Sequence, residues 1–381
     1  MPFGRFIRCP EGYTAFVPAA LPPKIEWTSN LVRDLSDADR AIGRLAGEGA
    51  GLPNPHLLIR PFIRREAVLS SKIEGTQATL GELLASEAGA DVERSPADLR
   101  EVANYVSALE FGVRRLEKLP LSLRLIRELH EKLMTGVRGD AATPGEFRRS
   151  QNWIGRPGST LANATYVPPP VKEMNEGLGR FEKFLHERTL PPLVHAGMAH
   201  AHFEAIHPFL DGNGRVGRLL ITLLLVERRV LPTPLLYLSA YFEATQSEYY
   251  DRLLHVNTKG EWQEWLAYFL KGVARQSDDA IDRVTRMNRI LADWRKKASG
   301  SGGKAASALV ELLAGNPFWT VKRAAAKLKV AYTTAERALE KLEVLGVVQR
   351  ISDAKRGRVY CATKLLHILE EPARLAPEKR S

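Results

Sequence analysis

Twelve consecutive residues constrain this chain more than any other feature: His207-Pro208-Phe209-Leu210-Asp211-Gly212-Asn213-Gly214-Arg215-Val216-Gly217-Arg218. An apolar helical run, Met198 to Ile206, leads into them and another, Leu219 to Val226, leads out. Pro208 has no backbone donor, and its ring biases His207 away from helical geometry. Gly212 and Gly214 allow a tight turn and a close approach of backbone to a ligand. Asn213 tolerates left-handed geometry better than most residues. A helix restarting near Gly214 leaves free N–H groups and a positive dipole end beside Arg215 and Arg218. Such a loop is an anion cradle with a histidine at its lip. The same Asp-Gly-Asn-Gly would also serve as turn chemistry in a capped helix–helix junction.

The run resembles the signature HPFx(D/E)GNGRxxR of the Fic family at every defining position. The resemblance implies a mainly α fold: an all-helical core carrying a small β-hairpin flap. It also implies transfer of AMP from ATP to a Tyr, Thr or Ser hydroxyl of a target protein. In that reading His207 is the general base and Asp211 holds Mg²⁺. Gly212, Asn213, Gly214, Arg215 and Arg218 bind the ATP phosphates. A related Fic group that phosphorylates its targets has Lys at the position of Gly214, so Gly here favours AMP transfer.

A second stretch, Ser70-Ser71-Lys72-Ile73-Glu74-Gly75, resembles the family's inhibition motif (S/T)xxxE(G/N) in Ser70, Glu74 and Gly75. The resemblance implies an inhibitory helix, about 57–76, whose Glu74 pairs with Arg218. A carboxylate on that guanidinium would deny it to the ATP γ-phosphate, since both want the same fork. Ser71 and Glu74 also have the spacing of a capping box.

Helical periodicity dominates elsewhere. The exception is Arg148 to Val167, where two short strand-like runs flank Gly158-Ser159 as in a hairpin. In the Fic family a flap here docks an extended segment of the target, so the target protein is expected at Trp153–Tyr166. Tyr250 and Asn257 lie two turns apart on one helix, about 10 Å along its axis. The resemblance places them around adenine. His195, His200 and His202 precede His207, but no pair has the i, i+4 spacing of zinc ligands on one helix face. They read as packing histidines.

Residues 1–30 are Pro-rich and read as irregular. Ser299-Gly300-Ser301-Gly302-Gly303 has the composition of a linker. Beyond it, three helices and a hairpin tipped by Lys355, Arg356 and Arg358 resemble a winged helix-turn-helix. DNA or a protein are both open as its partner. The tail after Leu369 reads as polar and frayed. The divisions are therefore an N-terminal helical region with the inhibitory helix (1–95), a catalytic core (96–298), a linker (299–303), and a winged-helix-like domain with its tail (304–381).

Net charge of +11 favours anionic partners without choosing among nucleotides, nucleic acid and acidic proteins. Two cysteines, Cys9 and Cys361, have neither disulfide nor zinc spacing, which argues for a reducing compartment. No apolar run approaches a membrane span and no signal-peptide core is present, so a cytoplasmic location is expected. The function expected is an autoinhibited protein adenylyltransferase using ATP and Mg²⁺. The alternatives are a DNA-binding regulator with a nucleotide-sensing core, and an enzyme of the same fold that removes AMP. A homodimer is left open.

Overall fold

The computed structural model describes residues 1–50, 55–137, 143–156, 158–232, 234–301, 303–352 and 357–375. The chain opens with an antiparallel hairpin, β1 (Gly4–Arg8) and β2 (Thr14–Pro18), so the expectation of irregular backbone fails there. Phe6 and Phe16 pair across the two strands, and Ala15, Phe16 and Val17 are buried. The prolines that suggested irregularity stand at the end of a strand or outside the pairing, where no ladder donor is needed.

Four helices follow: α1 (Ser29–Ala50), α2 (Pro55–Ile73), α3 (Leu80–Glu87) and α4 (Pro96–Arg115). α3 begins with a full capping box, Thr79 with Glu82, which satisfies two otherwise orphaned donors. Then come α5 (Leu123–Met134), α6 (Val171–His186), α7 (Pro192–Ile206), α8 (Asn213–Glu227), α9 (Ser239–Ala244), α10 (Gln246–Lys259) and the long α11 (Trp262–Ser301). α7 is the centre of the bundle. From Leu193 to Ile206 every residue but Glu204 is buried, including three histidines, because α6, α8, α10 and α11 pack around it. A helix apolar on all sides has no solvent face to present.

The last segment comprises α12 (Gly303–Leu313), β3 (Phe318–Thr320), α13 (Val321–Leu328), α14 (Tyr332–Val344), β4 (Gln349–Arg350), β5 (Val359–Cys361) and α15 (Thr363–Glu370). Its sheet has the order β3-β5-β4, antiparallel throughout. Thr320 caps α13, its side chain accepting from the Arg323 N–H. Lys355 and Arg356, at the tip of the expected wing, lie outside the described residues. The Ser-Gly stretch is not coil: α11 runs to Ser301 and α12 starts at Gly303. Packing outweighs composition there, since Ala298 and Ala306 are fully buried and Arg295 is paired with Glu311 at 2.5 Å. The tail beyond Leu369 is likewise not frayed as far as Arg374. Arg283 donates to the carbonyls of Glu371 and Pro372 at 3.0 Å, and Arg374 pairs with Asp282 at 2.8 Å.

No described helix is long and apolar enough to cross a membrane. Close packing between α7 and α11 depends on Gly197. Trp265 Nε1 donates to its carbonyl at 2.9 Å, and a Cβ on Gly197 would stand 3.0 Å from the Phe269 ring. Gly197→Val should therefore destabilise the fold by about 1–3 kcal/mol through overpacking. Urea unfolding would read this as a lower midpoint at unchanged slope.

Candidate active site

α7 and α8 hold the motif loop between them. His207 is the C-cap of α7 and sits in the left-handed region, φ 48° and ψ 62°. Pro208 explains why it leaves the helix, and the neighbours that hold it there explain why an unfavourable conformation persists. Its Nδ1 faces the Glu204 carbonyl at 3.3 Å, which makes Nδ1 the protonated nitrogen and leaves Nε2 bare. Burial, reinforced by the positive charge of Arg148, pulls the imidazole down to about 4, so the ring is neutral at neutral pH.

Gly212 caps α8 at φ 77°, and a Cβ on it would stand 2.9 Å from Met134 Sδ. No side chain caps this helix, so the first N–H groups, at Asn213, Gly214 and Arg215, have no partner further back in the helix. The Asn213 side chain is spent on the loop. Its Oδ1 accepts from the Phe209 N–H and its Nδ2 donates to the Phe209 carbonyl, both at 2.8 Å. What Asn213 offers a phosphate is its backbone. Arg215 is buried yet poorly matched: Met134 Sδ lies at 3.4 Å, Glu101 and Asp211 at about 4 Å, and its Nε and Nη1 have no hydrogen-bond partner. A buried guanidinium left this way is poised for an anion. The Asp211 carboxylate is half exposed and, among the described residues, accepts only from the Gly212 N–H at 2.6 Å.

Arg218 is already occupied. Its Nε donates to Ser70 Oγ at 2.8 Å, and its Nη2 donates to the Ser70 carbonyl at 2.9 Å and to Glu74 Oε1 at 2.6 Å. Burial alone would raise the Glu74 carboxyl, but Arg218, with Arg215 behind it, holds it below its ordinary value. Glu74 in turn raises Arg218 further above the ordinary guanidinium range against the cost of burial. Gly75 ends the segment at φ 94°, as the helix stop requires. The contact also needs Gly214, because a Cβ there would overlap Glu74 Oε1 and stand 3.0 Å from Arg218 Nη1.

Several residues that hold the site were not singled out from the sequence. Arg148 is buried, and its Nε donates to the His207 carbonyl at 3.0 Å, its Nη1 to Ser150 at 3.0 Å and its Nη2 to Pro169 at 2.5 Å. Asn152 Nδ2 donates to the Phe209 carbonyl at 2.8 Å. His130 accepts the Gly145 N–H on Nδ1 at 2.9 Å, so its Nε2 donates to the Asp211 carbonyl at 3.0 Å, and its ring stacks 3.7 Å from Phe209. Glu204, three residues before His207, is partly buried beside Arg218, its Oε1 buried and without a hydrogen-bond partner among the described residues, and burial pushes its carboxyl up to about 8. Its spacing from His207 was the one available signal.

Among the other expected residues, Tyr250 borders the site, its hydroxyl 3.4 Å from the Ile73 carbonyl. Asn257 makes no hydrogen bond to the loop among the described residues. Its amide donates to Leu253 within its own helix at 3.3 Å, and its carbonyl accepts from the Phe3 N–H at 3.0 Å. The expected flap is reduced to one antiparallel bridge, Ile154 with Tyr166, with Trp153 and Ile154 partly exposed. His195, His200 and His202 are packed: His195 meets the Phe184 carbonyl, and His200 meets the Gly217 carbonyl and the Tyr249 hydroxyl. Burial pulls all three far below the ordinary imidazole value. Among the described residues no three His, Cys, Asp or Glu side chains converge as a metal site.

The sequence model of the Fic/DOC family N-terminal region matches residues 32–114, and that of the Fic/DOC family matches residues 120–225. The protein adenylyltransferase Fic of Drosophila melanogaster is 36% identical over 115 residues, 29% of this chain and 21% of the relative. That of Drosophila virilis is 37% identical over the same length. The chain thus spans about a fifth of the curated relatives it matches. A Fic family protein from Desulfovibrio desulfuricans G20 superposes with a TM-score of 0.61 at 21% identity, covering 90% of this chain and 98% of that one. Fic-1 from C. elegans superposes with a TM-score of 0.54 at 24% identity, covering 67% and 74%. At these identities the likeness is one of fold.

Arg148→Met should strand the Ser150 and Pro169 carbonyl oxygens, leave that of His207 with only the longer 3.3 Å bond from Asn152 Nδ2, and cost about 2–4 kcal/mol. The neighbouring Arg149 has a side chain 88% exposed, so Arg149→Met should change stability by no more than about 0.5 kcal/mol. Chemical denaturation of the two variants checks the contrast.

Proposed function

We propose that this chain, a member of the Fic/DOC family, is a protein adenylyltransferase held off by its own Glu74. The observation that carries the reading is the Glu74–Arg218 pair, buried on its Arg218 side and seated in an otherwise anion-hungry cradle. The ATP phosphates would lie against the N–H groups of Asn213, Gly214 and Arg215, the start of a helix with no other cap. Arg215 and Arg218 would neutralise the phosphate charge. The hydroxyl oxygen of the target attacks the α-phosphorus, and the bond from that phosphorus to the bridging oxygen breaks. Pyrophosphate leaves with the electron pair, and the hydroxyl proton passes to His207 Nε2. Positioning and charge neutralisation would supply most of the rate.

Asp211 suits Mg²⁺, because Mg²⁺ bound with a nucleotide takes one or two carboxylates and leaves the rest to phosphate and water. When bound, the ion would offset phosphate charge. Tyr250 is well placed to cover the nucleotide base. Asn257, whose amide rests at 3.3 Å from the Leu253 carbonyl in its own helix, would turn that amide to the base. The target segment would pair alongside the Ile154–Tyr166 bridge, where Trp153 and Ile154 are exposed. In the C-terminal module Arg358 is engaged by Glu336 and Glu340 at 3.3 and 3.2 Å. That favours a packing or protein-docking role over phosphate contacts to DNA. The unpaired, buried thiols Cys9 and Cys361 favour the cytoplasm.

Purified protein with Mg²⁺ and labelled ATP should transfer label weakly, and Glu74→Gly should raise this roughly 10- to 100-fold, the worth of one charge-assisted contact. His207→Ala in the Glu74→Gly background should abolish it. No label from Glu74→Gly, on itself or on lysate proteins, would sink the reading. The His207 ring, pulled down to about 4, is protonated and useless as a base only below that value. Free-enzyme kcat/KM should therefore be flat between about pH 6 and 8 and fall on further acidification. An acid limb near the ordinary imidazole value of about 6.5 would contradict the neutral-base assignment.

A further inference from the structure

The inhibitory helix has two working faces. Ser70 and Glu74 point at Arg218, whereas Arg65, Val68, Leu69 and Lys72 recur at helical spacing on the opposite side. That opposite side lines a cavity of about 630 Å³, within the range that small-molecule sites occupy. Its other wall is the C-terminal strap from Leu369 to Ala373, which closes the cavity from the far end of the sequence. The strap is fixed from outside the cavity. Arg283 holds the carbonyls of Ile368, Glu371 and Pro372, Arg286 holds the Glu371 carboxylate at 2.5 Å, and Glu370 accepts the Gly81 N–H at 3.0 Å.

Among the described residues Arg65 is the one cation lining this cavity with no ion pair. It is only 7% exposed, and among the described residues its one hydrogen bond is to the Glu371 carbonyl at 3.2 Å. The cations around it are all paired: Lys72 with Glu243 at 2.8 Å, Arg94 with Glu82 at 3.1 Å, and Arg283 with Asp279 at 2.7 Å. Among the described residues no carboxylate pairs with Arg65. Burial, reinforced by the nearby positive Arg283, pulls its guanidinium down to about 10. Asp279, Glu66 and Glu243 favour the charge only from a distance; a buried charge without a direct ion pair is costly, and the cost is relieved when an anion enters the cavity beside it.

We propose that this cavity is a binding site for a small organic molecule bearing a carboxylate or phosphate group, anchored by Arg65, and that its occupation tightens inhibition. The guanidinium fork suits either anion in two-point contact. A molecule spanning the helix and the strap binds only while both walls are in place. It therefore stabilises the docked helix and with it the Glu74–Arg218 contact. The regulatory half rests on the reading of Glu74 as the inhibitor; the binding half does not.

The test uses the full chain with inorganic phosphate or succinate as probe, one arm for each anion class. At least one probe should raise the Tm of the wild-type protein and of Glu74→Gly by several degrees and leave Arg65→Met unmoved. Without probe, Arg65→Met should melt no lower than wild type, since an unmatched buried charge has been removed. The same probe should lower labelled-AMP transfer several-fold in wild type, with no such response in Arg65→Met or Glu74→Gly. A Tm unmoved in wild type by both probes, or moved equally in Arg65→Met, overturns the site. A Tm shift specific to Arg65 without any change in wild-type transfer overturns the regulatory half and leaves the site standing.

Discussion

The guanidinium of Arg218 is the point on which this structure turns. Buried between α7, α8 and α2, it would be strongly destabilising without a counter-charge. Ser70 and Glu74 supply that charge and the matching acceptors. Because the group that satisfies Arg218 belongs to the chain itself, the resting protein is complete and stable with its anion site closed. Any nucleotide phosphate meant for Arg218 must displace a carboxylate already in ion-pair contact. The same geometry explains Gly214: a side chain there would overlap the carboxylate, so the residue that opens the phosphate cradle also admits its blocker.

Around this pair, the loop is held by groups that never touch a substrate. Arg148 grips the carbonyl of His207, His130 that of Asp211, and Asn152 and Asn213 both hold Phe209. These bonds pin a left-handed histidine whose conformation is otherwise unfavourable. They also hold the His207 ring where burial keeps it neutral and its Nδ1 faces the Glu204 carbonyl. Burial thus does two jobs: it keeps the base uncharged and it makes every charge in the cradle expensive to leave unmatched.

The loop was legible because its residues are contiguous, and Ser70 and Glu74 were reached through their resemblance to the family motif (S/T)xxxE(G/N). Helices were legible wherever apolar residues recur at a fixed period. Arg148, Asn152 and His130 were not. Their role lies in bonds to backbone carbonyls 55–81 residues away, and no local pattern encodes that. Ser299 to Gly303 misled because composition suggests coil, while Ala298 and Ala306 are packed in helices on either side. The strap after Leu369 misled for the same reason: its polar residues are ordered by Arg283 and Arg286 on a helix almost a hundred positions earlier. Asn257 has the spacing expected of a base-binding residue, yet its amide is turned into its own helix.

The central claim is that Arg218 is contested between Glu74 and the last phosphate of the nucleotide. Calorimetric affinities of ATP and ADP for the wild-type and Glu74→Gly proteins, with Mg²⁺ present, test it most directly. If the claim holds, Glu74→Gly binds ATP roughly 10-fold tighter or more than wild type, in keeping with one freed charge-assisted contact, while ADP affinity barely changes. Equal gains for ATP and ADP, or no gain for either, would contradict it.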